Sequence, residues 1–261
     1  MHSSVIIAIP ARLSSTRLPR KMLLAETGRP LVEHTWRAAR GSRRATRAVV
    51  VTDSDEIAAA VRGFGDEAIM TSPDAPSGTA RIVEALPRLG AADIVVNVQG
   101  DEPELDPAAI DAAVDLLDRC PEAGVATLVT PLRRAQDLHE ASVVKAVLSP
   151  WQGTAGAVPG AWRALYFSRA AVPAAREWNE ILLAAEPPLY WQHVGLYAYR
   201  RGLLERWDSL PDSRLAAHES LEQLRVIEAG IPIAATAITH AARGIDTLPD
   251  YAAFVARQRA G

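Results

Sequence analysis

A buried strand that runs into a basic loop is the feature that most constrains this chain. The apolar run Val5–Ile9 has the length and composition of an interior strand, and Pro10 ends it. The residues that follow are rich in cations and hydroxyls: Arg12, Ser14, Ser15, Thr16, Arg17, Arg20 and Lys21. Because open α/β sheets bind ligands at the carboxyl ends of their strands, this segment predicts a polyanion site. The alternative is a solvated basic turn after an edge strand.

The lysine in this loop indicates a specific role. The chain has 28 Lys+Arg, but its only lysines are Lys21 and Lys145. An arginine can fork across two phosphate oxygens, whereas a lysine supplies a compact point charge. We therefore expect Lys21 to contact the anion directly.

Composition excludes several classes of protein. With 261 residues, 49% of them hydrophobic, the chain is long enough to bury a large core in one domain. A net charge of -3 argues against non-specific binding to nucleic acid or to a membrane surface. The sequence shows no membrane span or signal peptide, and the single cysteine, Cys120, has no partner for a disulfide or a thiolate metal site. These features predict a cytoplasmic protein.

Strands and helices alternate in the first half, which predicts parallel pairing through right-handed crossovers. The expected strands are Val5–Ile9, Ala48–Val51, Glu67–Met70, Ile94–Val98 and Val125–Val129. The expected helices are Leu31–Arg40, Glu56–Phe64 with a cap at Ser54 or Asp55, Thr79–Leu89, and one from the Asp106-Pro107 pair to Arg119.

The second half changes rhythm. Val143–Leu148 and Arg163–Phe167 are predicted strands separated by a loop, Ser149–Trp162, and together suggest a β-arm beside the main sheet. Further predicted elements are a strand at Val194–Tyr199, helices at Arg201–Trp207 and Glu219–Glu228, a strand at Ile233–Thr236, and a helix from Pro249 to Arg257. We predict one domain over residues 1–261.

Common catalytic motifs are missing from the sequence. It has no G-x-x-x-x-G-K-[ST], G-x-G-x-x-G, H-E-x-x-H or G-x-S-x-G pattern. P-loop and dinucleotide binding, zinc chemistry and a serine nucleophile therefore lose their main support.

Two aspartates suggest a metal site. Asp101 follows the strand Ile94–Val98, and Asp246 lies in a loop near the end of the chain. Two carboxylates together with substrate phosphates would make a typical Mg²⁺ site. The alternative is that each aspartate only caps a turn.

Two other patterns are ambiguous. Ser77-Gly78-Thr79-x-Arg81 is either a helix start with an exposed arginine or a site where the glycine lets a base approach the backbone. His193 and Tyr197 are four residues apart on a predicted strand and therefore point to one face. The alternative for His193 is a structural histidine with its hydrogen bonds satisfied.

Seven segments carry a resemblance to a known family. In order they are IPARLSSTRLPRK, SGTAR, VNVQGDEP, ALYFSRAAVP, HVGLYAYR, LEQLR and GIDTLPD. Together they resemble the 3-deoxy-D-manno-octulosonate (Kdo) cytidylyltransferases, or CMP-Kdo synthetases, from about Val5 to Tyr251. The first and third segments are highly specific, whereas SGT and GIDT add little alone.

The resemblance implies a fold and a reaction. The fold would be a three-layer α/β/α nucleotide-diphospho-sugar transferase type, with a mixed, mainly parallel sheet. Residues from about 142 to 200 would contribute the β-arm, the sugar-facing region and part of a homodimer. The reaction would be CTP + Kdo → CMP-Kdo + pyrophosphate, dependent on Mg²⁺, which activates Kdo for lipopolysaccharide synthesis.

The resemblance also implies roles for particular residues. Those for the CTP triphosphate are Ala11, Arg12, Arg17 and Lys21, and those for cytosine and ribose are Ser77, Gly78, Arg81, Gln99 and Gly100. Asp101 and Asp246 would hold Mg²⁺ and, with Arg12 and Lys21, form the catalytic set. The residues facing the sugar acid would be Arg169, His193, Tyr197, Glu222 and Gln223. Without the family, Glu222 and Gln223 would be read as a solvated helix face.

The sequence departs from the family pattern at four places. Arg20 replaces a glycine before the lysine, Ala80 replaces a glutamate, Ala75-Pro76 replaces a polar pair, and Ser149–Trp162 is longer than a tight hairpin.

Kdo activation has two alternatives: a cytidylyltransferase for a related acid sugar, such as amino-Kdo or another ulosonate, or a non-catalytic nucleotide-sugar binding protein. The presence of Lys21 with both aspartates favours catalysis.

Overall fold

The computed structural model describes residues 3–154 and 156–260. These residues form two compact units. The first unit runs to Asp111 and resumes at Ala242, and the second is Ala112–Ala241. The single domain expected over residues 1–261 stays a prediction.

Strands and α-helices are numbered in chain order. The strands are β1 (Val5–Ala11), β2 (Arg47–Thr52), β3 (Ile69–Met70), β4 (Ile94–Asn97), β5 (Val125–Pro131), β6 (Lys145–Gly153), β7 (Gly156–Ser168), β8 (Trp191–Arg200) and β9 (Ile233–Ala237). The α-helices are α1 (Leu31–Arg40), α2 (Asp55–Gly63), α3 (Gly78–Leu89), α4 (Pro107–Arg119), α5 (Ala135–His139), α6 (Arg201–Glu205), α7 (Arg214–Glu219), α8 (Gln223–Glu228) and α9 (Leu248–Ala260). Short 3-10 helices cover Lys21–Leu23, Glu180–Ala184 and Trp207–Ser209.

The first unit contains a parallel sheet in the order β3-β2-β1-β4. Its strands β1, β2 and β4 are almost completely buried, as expected for parallel strands covered on both faces. Ala11 at the end of β1 is level with Thr52 at the end of β2, and Ala8 is level with Asn97 at the end of β4. The loops that follow these strands therefore emerge at one edge of the sheet.

Helix caps confirm two local predictions. The Ser54 side chain accepts a hydrogen bond from the Ile57 N–H at the start of α2. The Asp106 carboxylate accepts one from the Ala108 N–H before α4. Each cap satisfies a main-chain donor that the first turn of a helix leaves without a partner.

Helix α9 returns the end of the chain to the first unit. Tyr251 and Phe254 pack in a buried cluster with Leu18 and Leu31. Thr247 and Asp250 cap this helix reciprocally: the Asp250 carboxylate accepts from the Thr247 N–H at 2.8 Å, and the Asp250 N–H donates to the Thr247 hydroxyl at 3.4 Å. This cap fixes the chain immediately after Asp246.

The second unit contains a mainly antiparallel sheet in the order β8-β5-β9-β7-β6, with a parallel pair β5–β9. Strand β6 also pairs with β8, so the first and the last strand of this order are hydrogen-bonded to each other. The expected α/β class, with parallel strands in the first half and a β-hairpin in the second, is confirmed.

The prediction of a long loop over Ser149–Trp162 is wrong. Most of this segment belongs to β6 and β7, and Gly153 pairs with Gly156. Register shifts after Val147 and after Pro150 accommodate the glycines and prolines, which an antiparallel pair tolerates at irregular positions. The segment is therefore an extended hairpin with a short connection, although Ala155 lies outside the described residues.

The prediction of one helix over Glu219–Glu228 is also wrong. Helix α7 ends at Glu219, and Ser220 adopts the left-handed region with φ 53°. A new helix, α8, then begins at Gln223, with Glu222 at its N-cap. Sequence periodicity does not reveal such a break, because serine rarely adopts positive φ.

None of the helices in the described residues has both the length and the apolarity needed to cross a bilayer.

Candidate active site

A polar cavity of about 450 Å³ opens in the first unit, where the loops after β1 and β4 meet the start of α3. Every residue expected at the nucleotide or the metal lines it: Ala11, Arg12, Arg17, Lys21, Ser77, Gly78, Arg81, Gln99, Gly100, Asp101 and Asp246. The structure therefore brings these residues together from four separate parts of the chain. Their individual roles stay predictions.

Lys21 lies at the centre of the charged wall. Its Nζ is 2.5 Å from Asp101 Oδ2 and 3.0 Å from Asp246 Oδ1, and it also donates to the Ile245 carbonyl at 3.0 Å. The Ile245 N–H in turn donates to the Asp101 carbonyl at 2.9 Å. Two aspartates that are far apart in sequence are thus held at one ammonium, and the Lys21 residue is only 8% exposed.

Arg17 extends this cluster toward solvent. Its guanidinium is 2.9 Å from Asp246 Oδ2, and its side chain is 65% exposed. Because an exposed ion pair contributes little free energy, Arg17 can exchange this carboxylate for another anion at small cost. Arg12 lines the same cavity and is exposed.

The turn at Gly100 depends on glycine. A Cβ at this position would lie 2.7 Å from the Pro10 carbonyl oxygen, closer than real contacts allow. The Thr35 hydroxyl donates to the Gly100 carbonyl at 2.8 Å. This close approach of the loop after β4 to the end of β1 fixes the backbone that presents Asp101.

The start of α3 forms another part of the wall. The Ser77 side chain accepts from the Ala80 N–H, so the segment begins a helix, but the expectation of an exposed arginine with that helix start is wrong because Arg81 is buried. The first N–H groups of a helix attract anions. An added Cβ at Gly78 would make only ordinary contact, 3.4 Å, with Pro10, so packing alone does not require glycine there.

Arg81 is buried and held by its own chain. Its guanidinium donates to Asp53 at 2.8 Å and to the Thr71 hydroxyl at 2.6 Å, and only 4% of the residue is exposed. It therefore anchors the loop before α3 to the end of β2. Sequence reasoning missed Asp53, although its position directly after a buried strand was a usable signal.

The predicted sugar-facing residues all belong to the second unit. The rings of His193 and Tyr197 are 5.4 Å apart, so the expectation that they share a face is confirmed. His193 Nε2 is 3.0 Å from the Thr127 hydroxyl, and burial lowers the pKa of His193 to about 3. His193 is therefore a neutral, hydrogen-bonded histidine in this unit, which is what the structural alternative requires.

Gln223 and Arg169 differ in how many hydrogen bonds their side-chain N–H groups donate. Gln223 is 4% exposed, and its Nε2 has no hydrogen-bond partner among the described residues. The interpretation of Gln223 as part of a solvated helix face is therefore wrong, and Glu222 lies at the N-cap of α8 instead of on a helix face. Arg169 follows β7 and donates from its guanidinium to three main-chain carbonyls.

Comparison with known proteins identifies the family. A family model described as cytidylyltransferase matches residues 6–233. A 3-deoxy-manno-octulosonate cytidylyltransferase of Rhodopirellula baltica is 46% identical over 253 residues, which cover 97% of each chain. The chain belongs to the 3-deoxy-manno-octulosonate cytidylyltransferase family.

Further comparisons agree with this membership. A 3-deoxy-manno-octulosonate cytidylyltransferase of Chlorobaculum tepidum is 44% identical, and the match covers 94% of this chain and 93% of that protein. A solved CMP:2-keto-3-deoxy-manno-octonic acid synthetase complexed with CTP matches with a TM-score of 0.87 and 37% identity, over 99% of both chains. The expected family, its nucleotidyltransferase fold and its enzyme class are confirmed.

The positions at which this cytidylyltransferase is expected to depart from the family pattern have different surroundings. Arg20 adopts φ 57°, a conformation that glycine adopts without strain, and its guanidinium pairs with Glu56. The added charge is thus neutralised outside the residues that line the cavity. Ala75 and Pro76 do line the cavity. Ala80 lies in the first turn of α3, where its N–H is the group that Ser77 caps.

The cytidylyltransferase has a further carboxyl group beside Asp101. Burial, with a smaller effect from the neighbouring Asp101 charge, raises the pKa of Glu102 to about 8. Sequence reasoning had not singled out this residue. Because Glu102 is largely protonated at neutral pH, it adds little negative charge next to Asp101.

The acidic donors of the cavity are of the type that binds hard divalent cations. In the described part of the chain, no group of three or more His, Cys, Asp or Glu residues could hold a metal ion. Asp101 and Asp246 instead supply carboxylate oxygens from two loops to one ammonium. Such a donor pair suits Mg²⁺, which binds through one or two carboxylates and completes its shell with water and phosphate oxygens.

Proposed function

We propose that this protein transfers CMP from CTP to the anomeric hydroxyl of Kdo and releases pyrophosphate, which activates Kdo for lipopolysaccharide synthesis. The observation that carries the proposal is the cavity in which Lys21 contacts both Asp101 and Asp246. The names of the relatives support the choice of both substrates.

The cavity suits a nucleoside triphosphate in size and charge. Its volume of about 450 Å³ lies within the usual range for small-molecule sites. In the proposed complex, Arg12, Arg17 and Lys21 bind the triphosphate. Ser77, Gly78, Arg81, Gln99 and Gly100 surround cytosine and ribose, where Gly100 and the start of α3 offer main-chain groups at close range.

Asp101 and Asp246 would hold Mg²⁺ in this proposal. When bound, the ion would neutralise phosphate charge and polarise the oxygens it contacts. Lys21 and Arg17, which contact these carboxylates, offer their charges to the phosphates instead. Most of the rate enhancement in phosphoryl transfer comes from such positioning and charge neutralisation.

The sugar acid would be bound by Arg169, His193, Tyr197, Glu222 and Gln223. Two observations support this part of the proposal. Gln223 Nε2 is a buried donor that finds no partner in the described part of the chain, a costly arrangement that a ligand hydroxyl would relieve. Arg169 has five N–H donors, of which three bind carbonyls, so the guanidinium can still donate to a carboxylate.

A homodimer and a cytoplasmic location complete the proposal. Leu165 on β7 is 49% exposed and Ile181 is 79% exposed, which favours burial of this region against a second copy. The location follows from the need for CTP. Light scattering coupled to size-exclusion chromatography tests the dimer, and a mass of 28.0 kDa would contradict it.

Pyrophosphate release tests the reaction. The protein is assayed with CTP, Mg²⁺ and a panel of Kdo, amino-Kdo, sialic acid and glucose 1-phosphate. We expect release with Kdo, roughly 10³-fold less with sialic acid because two or three buried polar groups would be left unpaired, and none with glucose 1-phosphate. Comparable rates with sialic acid and Kdo would contradict the sugar assignment. No release with any acceptor would contradict catalysis and favour a binding protein.

A further inference from the structure

Lys145 is a fully buried cation in the second unit. Its exposed fraction is 0%, and its ammonium donates to the main-chain carbonyls of Glu140 at 3.0 Å, Val143 at 2.6 Å and Arg169 at 2.6 Å. An ammonium has three donors, so all of them are used. Burying a charge costs free energy even when its hydrogen bonds are made. A lysine at this position therefore needs a reason beyond packing.

These hydrogen bonds converge on Arg169. Lys145 binds the carbonyl of Arg169 itself, and it also binds carbonyls on both sides of Ala141. The Ala141 carbonyl accepts from Arg169 Nη1 at 3.1 Å. One ammonium thus fixes both the main chain of Arg169 and the segment that its guanidinium contacts.

Glu219 holds Arg169 from the other direction. One carboxylate oxygen accepts from the Arg169 N–H at 2.9 Å, the other accepts from the Ser168 hydroxyl at 2.7 Å, and the Glu219 carbonyl accepts from Arg169 Nε at 2.7 Å. Strand β7 ends at Ser168, so Arg169 lies just beyond the strand. Its main-chain N–H donates to the Glu219 carboxylate, and its main-chain carbonyl accepts from the Lys145 ammonium.

We propose that Lys145, together with Glu219, is a positioning residue that sets the guanidinium of Arg169 for the carboxylate of the sugar acid. The inference rests on the proposed function, in which Arg169 binds that carboxylate. Lys145 is buried and acts through Arg169. Small errors in the placement of a binding group are expensive, since a misplacement of about 1 Å can cost about 10²-fold in rate.

The test separates the two substrates. Lys145→Met keeps the length of the side chain but removes its three donors. We expect the KM for Kdo to rise about tenfold or more, while the KM for CTP stays within about twofold. Glu219→Gln, which replaces one accepting oxygen by an amide, should raise the KM for Kdo in the same selective way and serves if Lys145→Met does not fold.

Arg200→Met is the matched control. Arg200 is a second cation in this unit, and its guanidinium donates to the main-chain carbonyls of Leu117, Cys120 and Ala123. Its loss should lower the melting temperature but leave both KM values unchanged. If Arg200→Met shifts the KM for Kdo as strongly as Lys145→Met does, or if Lys145→Met and Glu219→Gln shift neither or both constants equally, the positioning role is wrong.

A readout without turnover separates this inference from the proposed function. The Arg169 Nε–Hε signal, assigned by its loss in Arg169→Lys, should exchange slowly with solvent because it donates to the Glu219 carbonyl. Lys145→Met should accelerate that exchange, and Arg200→Met should not. If the wild-type protein shows no turnover with Kdo, the proposed function fails while this measurement still decides the positioning role; unchanged exchange in Lys145→Met would overturn it.

Discussion

The two lysines of this chain lie in opposite surroundings. Lys21 borders a cavity and contacts two partly exposed carboxylates, whereas Lys145 is fully buried and contacts three main-chain carbonyls. A charge paired with carboxylates at a cavity can exchange them for phosphates. A charge bound to buried carbonyls cannot exchange its partners without breaking the fold. Of the two lysines, Lys21 can therefore respond to a ligand, and Lys145 fixes a geometry.

The largest effect is expected at the carboxylates of the first unit. Asp101→Asn or Asp246→Asn removes a charge but keeps the shape of the side chain. Turnover should fall by about 10²-fold or more while the protein stays folded, because the variant loses a carboxylate that would hold the Mg²⁺ ion, and this ion would neutralise the phosphate charge. Steady-state pyrophosphate release at saturating Mg²⁺ measures the loss, and circular dichroism checks the fold. Near wild-type turnover in either variant would remove that aspartate from the mechanism.

A smaller effect is expected from Lys21 itself. Lys21→Ala should weaken CTP binding and slow turnover by roughly 10- to 100-fold, because a charge-assisted contact to phosphate is lost. Lys21→Arg should restore only part of the activity, since a planar fork does not replace a point charge. Calorimetric titration with CTP and turnover assays test both variants. Unchanged CTP affinity and turnover in Lys21→Ala would contradict a role of Lys21 in binding the phosphates.

The second unit should instead respond to pH through stability. Burial lowers the pKa of His193 from its usual 6.5 to about 3. Between these values the unfolded chain binds a proton that the folded protein does not. The free energy of unfolding should therefore fall by about 1.4 kcal/mol per pH unit as the pH drops below 6.5, and this effect should level off near pH 3.

Urea denaturation of the wild-type protein and of His193→Gln between pH 7 and pH 4 isolates this contribution. Other groups titrate in both proteins, so the difference between their pH dependences is the quantity of interest. A difference that does not change with pH would show that His193 is not held neutral by the fold.

Short-range rules predicted much of the first unit. Ser54 and Asp106 are helix caps because each is a good acceptor immediately before an apolar helix. The burial of β1 and the basic loop after it followed from composition and length. The sequence predicted that Asp101 and Asp246 share a metal site, but it did not predict that both reach the Lys21 ammonium, since no local pattern relates residues so far apart.

The failures have physical causes. The glycines and prolines between Ser149 and Trp162 resemble a loop but are absorbed by register shifts in a hairpin. The left-handed Ser220 divides a sequence that has continuous helical character. The partners of Arg81 and Lys145 depend on tertiary burial, so spacing does not predict the three carbonyls around Lys145, and Asp53 is marked only by its position after a buried strand.

The contrast between the two lysines can be measured directly, because they are the only lysine side chains in the protein. The protein is acetylated under limiting reagent, with and without CTP and Mg²⁺, and modification at each lysine is followed by mass spectrometry. Lys21 should react through the cavity and become protected by CTP, while Lys145 should stay unmodified in the folded protein under both conditions. Modification of Lys145 at the rate of Lys21, or no protection of Lys21 by CTP, would contradict the account.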